Sequence, residues 1–319
     1  KRSNMKNLIK LDDLNNFNKT LSLAFEMKKN INSYLNIGKN KTLGMIFFNP
    51  SLRTRLSTQK AANNLGINIM IMNFNNEAWA LEFEDGTKMS GIRSEHVKEA
   101  AGVISQYCDM VAIRAFASLK HKKNDEEEIV LNNFVKYSTI PVINMESATA
   151  HPLQALADAM TILEYNNKQK PKIVLSWAPH PKALPHAVAN SFIKMIKNIN
   201  AEFVITNPDG YDLDPSITKG IKIYSNQKEA FKGADFIYAK NWCSYENYGK
   251  VLRTDHEWII NDKKMNYTNN AKFMHCLPIR RNIVASDDVI DNKNSLVMKQ
   301  SKNRVFATQA ILKQIIDDE

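Results

Sequence analysis

Thr42-Leu-Gly-Met-Ile-Phe-Phe-Asn-Pro-Ser-Leu-Arg-Thr-Arg55 runs from an apolar strand candidate, Thr42–Phe48, through an Asn-Pro turn into a helical stretch, Arg53–Leu65, closed by Gly66. A buried strand that passes through a tight turn straight into a helix opens a βα unit. Ser51 is a good N-cap residue, and the first N–H groups of the following helix have no partner inside it. Two arginines and a threonine hydroxyl at that spot form a phosphate cradle without glycine. The plain alternative is a capped helix with solvated arginines.

Outward from this segment, short apolar runs alternate with helical patterns over the whole chain. Further strands are expected at Asn68–Phe74, Met110–Phe116, Pro141–Met145, Lys172–Trp177, Glu202–Thr206, Ile221–Tyr224, Asp235–Ala239 and Lys272–Cys276. Helices are expected at Ser94–Cys108, Asp125–Tyr137, 152–167, Pro185–Ile199, Gln227–Phe231 and Asn303–Ile316. Such alternation reads as α/β with parallel sheets. At 319 residues, two domains are expected: 1–150, with helix 303–319 packing back on it, and 151–302. Sites in such folds lie at the carboxyl ends of strands and between domains.

Composition narrows the function. Hydrophobic residues at 44% and charged residues at 24% are those of a globular protein. The net charge of +10 suits an anionic partner, but the basic residues are scattered, with no block of five. That favours steering of a small anion over nucleic acid, and stacking signatures for RNA are missing. No apolar run reaches the ~18 residues of a membrane span, and the opening KRSNMKNLIKL lacks the apolar stretch of a signal peptide. Cys108, Cys243 and Cys276 lie more than thirty residues apart, which disfavours a zinc ribbon or disulfide framework. A cytoplasmic protein is expected. No two glycines stand two apart, and Ile92 follows Gly86 and Gly91 where a phosphate loop needs lysine. Readings as a dinucleotide or nucleoside-triphosphate binder therefore fall.

Two more strand ends carry unusual residues. In Glu146-Ser-Ala-Thr-Ala-His151-Pro152-Leu153-Gln154, the histidine precedes the helix and the glutamine sits one turn inside it, on nearly the same face. Imidazole beside carboxamide suits polarising a carbonyl oxygen rather than holding a metal. A histidine acting only as a cap is the plain alternative. In His275-Cys276-Leu277-Pro278-Ile279-Arg280, the Leu-Pro pair stops the chain from continuing as helix and exposes the Leu277 carbonyl as an acceptor. A buried cysteine and a loop break would explain that segment equally well. Arg114 and Arg304 are lone arginines among apolar neighbours, at a strand end and a helix start.

Ser51–Arg55 (SLRTR), His151–Gln154 (HPLQ) and His275–Pro278 (HCLP), in this order and these contexts, resemble the transcarbamylase family from Phe47 to Arg304. The ornithine branch's Asp-x-x-x-Ser-Met-Gly loop is absent; the corresponding region reads Tyr238-Ala-Lys240-Asn-Trp242-Cys-Ser-Tyr-Glu-Asn-Tyr-Gly249. With Asn76-Glu-Ala-Trp79 and Ser176-Trp-Ala-Pro-His180-Pro, the sequence is similar to the branch that acts on N-acylated ornithines.

The resemblance implies two domains, each a parallel sheet flanked by helices, joined by interdomain helices. It implies that Ser51, Leu52, Arg53, Thr54 and Arg114 bind the phosphate of carbamoyl phosphate, with Trp79 reaching in from a neighbouring subunit of a homotrimer. His151 and Gln154, opening the helix with Pro152 and Leu153, would hold the carbamoyl group. Cys276 and the Leu277 carbonyl would face its amide side, and Arg304 would complete the site. Glu146, His180, Lys240, Arg280 and Leu277 would bind the acylated amino acid. The catalytic set would be Arg53, Thr54, Arg114, His151, Gln154 and Cys276, with no metal or organic cofactor.

The acyl group turns on Ser94. Acetyl enzymes of the branch carry Glu at that place and succinyl enzymes Pro. An uncharged serine leaves room for a succinyl carboxylate, which a glutamate would repel by about 1–4 kcal/mol at ~4 Å. The expected reaction is carbamoyl transfer to the δ-amine of N2-succinyl-L-ornithine, in arginine biosynthesis. The acetyl acceptor is the alternative, and a non-catalytic protein binding small anions or nucleic acid a distant one.

Overall fold

A computed structural model describes residues 6–318. The chain forms two compact units. One comprises the chain up to Ser118, Lys123–Leu156 and the chain from Arg304 onward; the other comprises Leu119–Lys122 and Ala157–Asn303. The division falls inside the helix Pro152–Tyr165, and again inside Val297–Asp318. Residues 1–5 and Glu319, which the expected first domain and terminal helix include, lie outside the described residues.

The first unit is built on a parallel sheet of β1 (Thr42–Phe47), β2 (Asn68–Asn73), β5 (Met110–Arg114) and β6 (Val142–Glu146), in the order β2-β1-β5-β6. A small parallel pair stands apart from it: β3 (Leu81–Glu82) and β4 (Glu95–His96). The central strands are continuous apolar runs because helices cover both faces of a parallel sheet. On the edge, β2 alternates between exposed and half-buried residues. Ile46, Val111, Ile113, Leu131 and Phe134 pack into the core on one side. Helix Leu52–Asn64 stops at Gly66, whose φ of 74° suits a residue without Cβ; a Cβ there would lie 2.4 Å from the Leu35 carbonyl oxygen.

The second unit holds β7 (Lys172–Trp177), β8 (Glu202–Thr206), β9 (Lys222–Tyr224), β10 (Phe236–Lys240) and β11 (Lys272–Met274), all parallel, in the order β11-β10-β7-β8-β9. Trp177 and Trp242 are core residues, and their indole N–H groups donate to the carbonyls of Trp242 at 2.9 Å and Tyr211 at 2.7 Å.

All nine strands read from the sequence are present, within a residue or two of their expected ends. The helices needed more correction. Asp125–Tyr137 is two helices, Lys122–Glu126 and Ile129–Tyr137, broken at Glu128, which takes a left-handed φ of 50°. The helix expected from Ser94 starts at Val97, because Glu95–His96 pairs with β3. The terminal helix starts at Val297 rather than Asn303. A further helix, Phe17–Lys29, is capped by Asn16, whose side chain accepts from the Lys19 amide at 2.9 Å. Among the described residues, no helix is long and apolar enough to cross a membrane.

Candidate active site

The sheet of the first unit gathers a cationic corner at its carboxyl edge. Ser51, in extended conformation, caps helix Leu52–Asn64 by accepting from the Thr54 amide at 3.2 Å. That cap turns the buried Thr54 hydroxyl toward two arginines. Arg304 Nη2 donates to Thr54 Oγ1 at 2.8 Å, and Arg114 Nη1 lies 3.4 Å from the same oxygen. Arg114 ends β5, stacks its guanidinium 4.1 Å from the centre of the Phe116 ring, and reaches the Pro50 carbonyl at 3.5 Å. Arg53 is half-buried beside them in sequence, and Leu52 is exposed in the first turn. Two buried guanidinium groups at the N-terminus of a capped helix make a strongly anion-attracting spot.

Glu146 counterbalances part of this charge. The ladder between β5 and β6 shifts after Ile113, so that Arg114 pairs with Glu146 rather than Met145. The carboxylate forms an ion pair with Arg114 and lies 3.5 Å from His151 Nε2. His151, Pro152, Leu153 and Gln154 are all buried. Glu146 therefore orients a guanidinium and an imidazole within the first unit, whereas the sequence assigned it only to the acylated amino acid.

Glu128 fixes the loop between Glu146 and His151. Its carboxylate accepts from Ser147 Oγ at 2.6 Å, the Ala148 amide at 3.2 Å, the Thr149 amide at 2.7 Å and Thr149 Oγ1 at 2.6 Å. From the other side, Asn144 Nδ2 donates to Ser147 Oγ at 2.9 Å and to the Ala150 carbonyl at 3.3 Å. Sequence reasoning missed Glu128, which stands in a run of acidic residues that reads as a solvated face.

In the second unit, Arg280 Nε donates to His180 Nε2 at 3.1 Å, and His180 Nδ1 donates to the Lys182 carbonyl at 2.8 Å, which assigns a neutral imidazole. Burial first, then the charges of Lys240, Arg280 and Lys182, hold its pKa below the usual histidine value. Lys240 is buried at the end of β10. Beyond β11, Cys276 is half-buried and in no disulfide, and Leu277 takes a left-handed φ of 55°. His275, given no role by the sequence, accepts from the Leu277 amide through Nδ1 at 2.9 Å.

Trp79 and Ser94 join neither cluster. Both lie on the exposed excursion carrying β3 and β4, where the Trp79 indole donates to Glu95 Oε2 at 2.6 Å. Among the described residues, no group of three or more His, Cys, Asp or Glu side chains is placed to hold a metal.

This fold, with a cationic helix terminus on one unit and an imidazole–guanidinium cluster on the other, is that of a carbamoyltransferase. Residues 6–164 match the carbamoyl-phosphate-binding domain model, and residues 185–315 the Asp/Orn-binding domain model, of aspartate/ornithine carbamoyltransferases. The chain belongs to that family. It is 47% identical to the N-succinylornithine carbamoyltransferase of Bacteroides fragilis over 316 residues, covering 98% of this chain and 99% of the relative. To the N-acetylornithine carbamoyltransferase of Xanthomonas axonopodis pv. citri it is 36% identical, covering 86% of each chain. Among solved structures it resembles a glutamate-to-serine variant of N-acetyl-L-ornithine transcarbamylase complexed with carbamyl phosphate and N-succinyl-L-norvaline. There the TM-score is 0.90 and the identity 33%, covering 97% of this chain and 99% of that one.

Proposed function

We propose that the chain transfers the carbamoyl group of carbamoyl phosphate to the δ-amine of N2-succinyl-L-ornithine, releasing phosphate and N-succinyl-L-citrulline, in arginine biosynthesis in the cytoplasm. The observation that carries this reading is the convergence of Arg114 and Arg304 on Thr54 at the head of the SLRTR helix. Together with Ser51, Leu52 and Arg53 these residues hold the phosphate. His151 and Gln154, with Cys276 and the Leu277 carbonyl, hold the carbamoyl group. Glu146, His180, Lys240 and Arg280 serve the acylornithine.

The neutral amine attacks the carbamoyl carbon, the bond from that carbon to the phosphate oxygen breaks, and the amine gives up one proton. No side chain forms a covalent intermediate. Rate comes from orientation and from stabilising charge on the carbamoyl oxygen and the leaving phosphate.

The succinyl preference rests on Ser94 and on the higher identity to the Bacteroides relative. A glutamate-to-serine variant of an acetyl enzyme holding a succinyl ligand agrees with it. Ser94 and Trp79 ride on one excursion, so both would act in a neighbouring subunit of a trimer. On the first unit, Trp79 at 59% exposure, Leu52, Leu56, Met70 and Met72 are exposed apolar side chains of the kind a second copy would cover.

The test is product formation from carbamoyl phosphate with N-succinylornithine, N-acetylornithine and ornithine side by side. Turnover of the succinyl acceptor alone supports the reading; turnover of the acetyl acceptor alone overturns the role of Ser94 and keeps the chemistry.

A further inference from the structure

Leu277 is a bulky residue in a backbone region that L-residues avoid, and such a conformation persists only where its surroundings over-determine it. A buried hydrogen-bonded chain does this within the second unit. The Leu277 amide donates to His275 Nδ1 at 2.9 Å. The His275 amide donates to Gln300 Oε1 at 2.9 Å, and Gln300 Nε2 donates to Asp158 Oδ1, also at 2.9 Å. His275, Gln300 and Asp158 are each at most 4% exposed. Tyr238, fully buried, turns its hydroxyl toward Asp158 and Cys276, and its pKa is raised well above the ordinary tyrosine value by burial and by both of those groups.

The glutamine amide is used at both ends, accepting through oxygen and donating through nitrogen, so its orientation is fixed. That fixes the His275 backbone, the imidazole fixes the Leu277 amide, and the Leu277 carbonyl is left pointing one way.

We propose that Gln300 is a positioning residue, which acts through His275 to hold the Leu277 carbonyl and Cys276 in the geometry that receives the carbamoyl amide. The proposal rests on the functional reading above. Gln300 lies one helical turn inside Val297–Asp318, apart from the SLRTR, HPLQ and HCLP segments.

The test uses the full-length enzyme with Gln300→Leu and Gln300→Glu. In Gln300→Leu, kcat falls by about tenfold or more while KM for carbamoyl phosphate holds, because Arg53, Thr54 and Arg114 are untouched. Gln300→Glu stays informative even where Gln300→Leu does not fold. At acid pH the new carboxyl and Asp158 share a proton, which restores one donor and one acceptor. As pH rises both ionise and repel, and activity falls along a limb that the wild type lacks. Of the titratable residues, His275 and Asp158 are hydrogen-bonded to Gln300, and Tyr238 lies against Asp158 and Cys276.

Alkylation of Cys276 by iodoacetamide, followed by peptide mass, reads the loop without any turnover. Its rate changes by about tenfold in Gln300→Leu if the loop moves. A folded Gln300→Leu variant with wild-type kcat and wild-type Cys276 labelling overturns the proposal, as does a Gln300→Glu profile that superimposes on the wild type. A wild-type enzyme that carbamoylates no acylornithine overturns the functional reading instead, and the labelling comparison still decides the loop.

Discussion

Arg304 and Thr54 lie 250 positions apart in the chain, yet a guanidinium N–H of one donates to the hydroxyl of the other at 2.8 Å. The last helix thereby delivers its arginine to the first turn of the SLRTR helix. Two cations held on one neutral oxygen repel each other, and a bound dianion relieves that repulsion.

Thr54→Val keeps the shape and removes the shared acceptor. The expected loss is about 3 kcal/mol in kcat/KM for carbamoyl phosphate, roughly a hundredfold. Arg53→Ala is expected to cost at least as much. Steady-state kinetics with either variant near wild-type turnover would remove the phosphate site from this corner.

Ser94→Glu places a carboxylate where the succinyl terminus is proposed to lie. Succinylornithine turnover is expected to fall by about 1–4 kcal/mol in transition-state terms, while acetylornithine is affected far less. The ratio of the two kcat/KM values is the readout. An unchanged ratio shows that the acyl terminus lies elsewhere.

A shared site is tested by mixing. Trp79→Ala and Arg53→Ala chains are each expected to be nearly inactive alone. Co-assembled from a denatured mixture, they should regain part of the activity, since some hybrid sites then take both intact residues. No gain over the separate variants, with hybrids present by native mass spectrometry, argues that each chain carries a whole site.

Glu128→Ala strips four hydrogen bonds from the loop ahead of His151. Bonds to a carboxylate contribute about 1.5–3 kcal/mol each before relaxation, so a net loss of about 3 kcal/mol in urea unfolding is expected, with a fall in kcat. Unchanged stability would mean that the loop holds itself.

Protonation has a clear sign here. Burial lowers the folded-state pKa of both His180 and His186 below the ordinary 6.5. The unfolded chain therefore takes up protons first as pH falls. The stability these residues contribute is complete above about pH 6.5 and is lost on acidification through their folded pKa values. His180 also loses its acceptor for Arg280 when protonated. Thermal midpoints measured from pH 8 down to pH 5 should fall, and His180→Gln should flatten part of that fall.

The strands were legible because parallel strands covered on both faces are uninterrupted apolar runs, as in Met110–Ile113. Helix starts were less so. Glu95–His96 reads as the first turn of a helix until a strand partner at Leu81 claims it, and that partner is a tertiary fact. At the candidate site, Ser51, Arg53 and Thr54 announced themselves through their place after a strand. Glu128 and Gln300 did not, because an acidic run and a helical glutamine look the same whether they face water or a buried loop. What distinguishes them is who meets them, and no spacing rule carries that.

The one-residue slip between β5 and β6 sets which side chain of β6 stands beside Arg114. With an unbroken ladder, Met145 would take that rung and the carboxylate would face the other side of the sheet. The charge balance of this corner is thus written as a count of residues as much as a choice of them. Closing that slip would put a thioether in place of the carboxylate without replacing either residue, so grafting this strand end into another protein means copying its phase together with its letters.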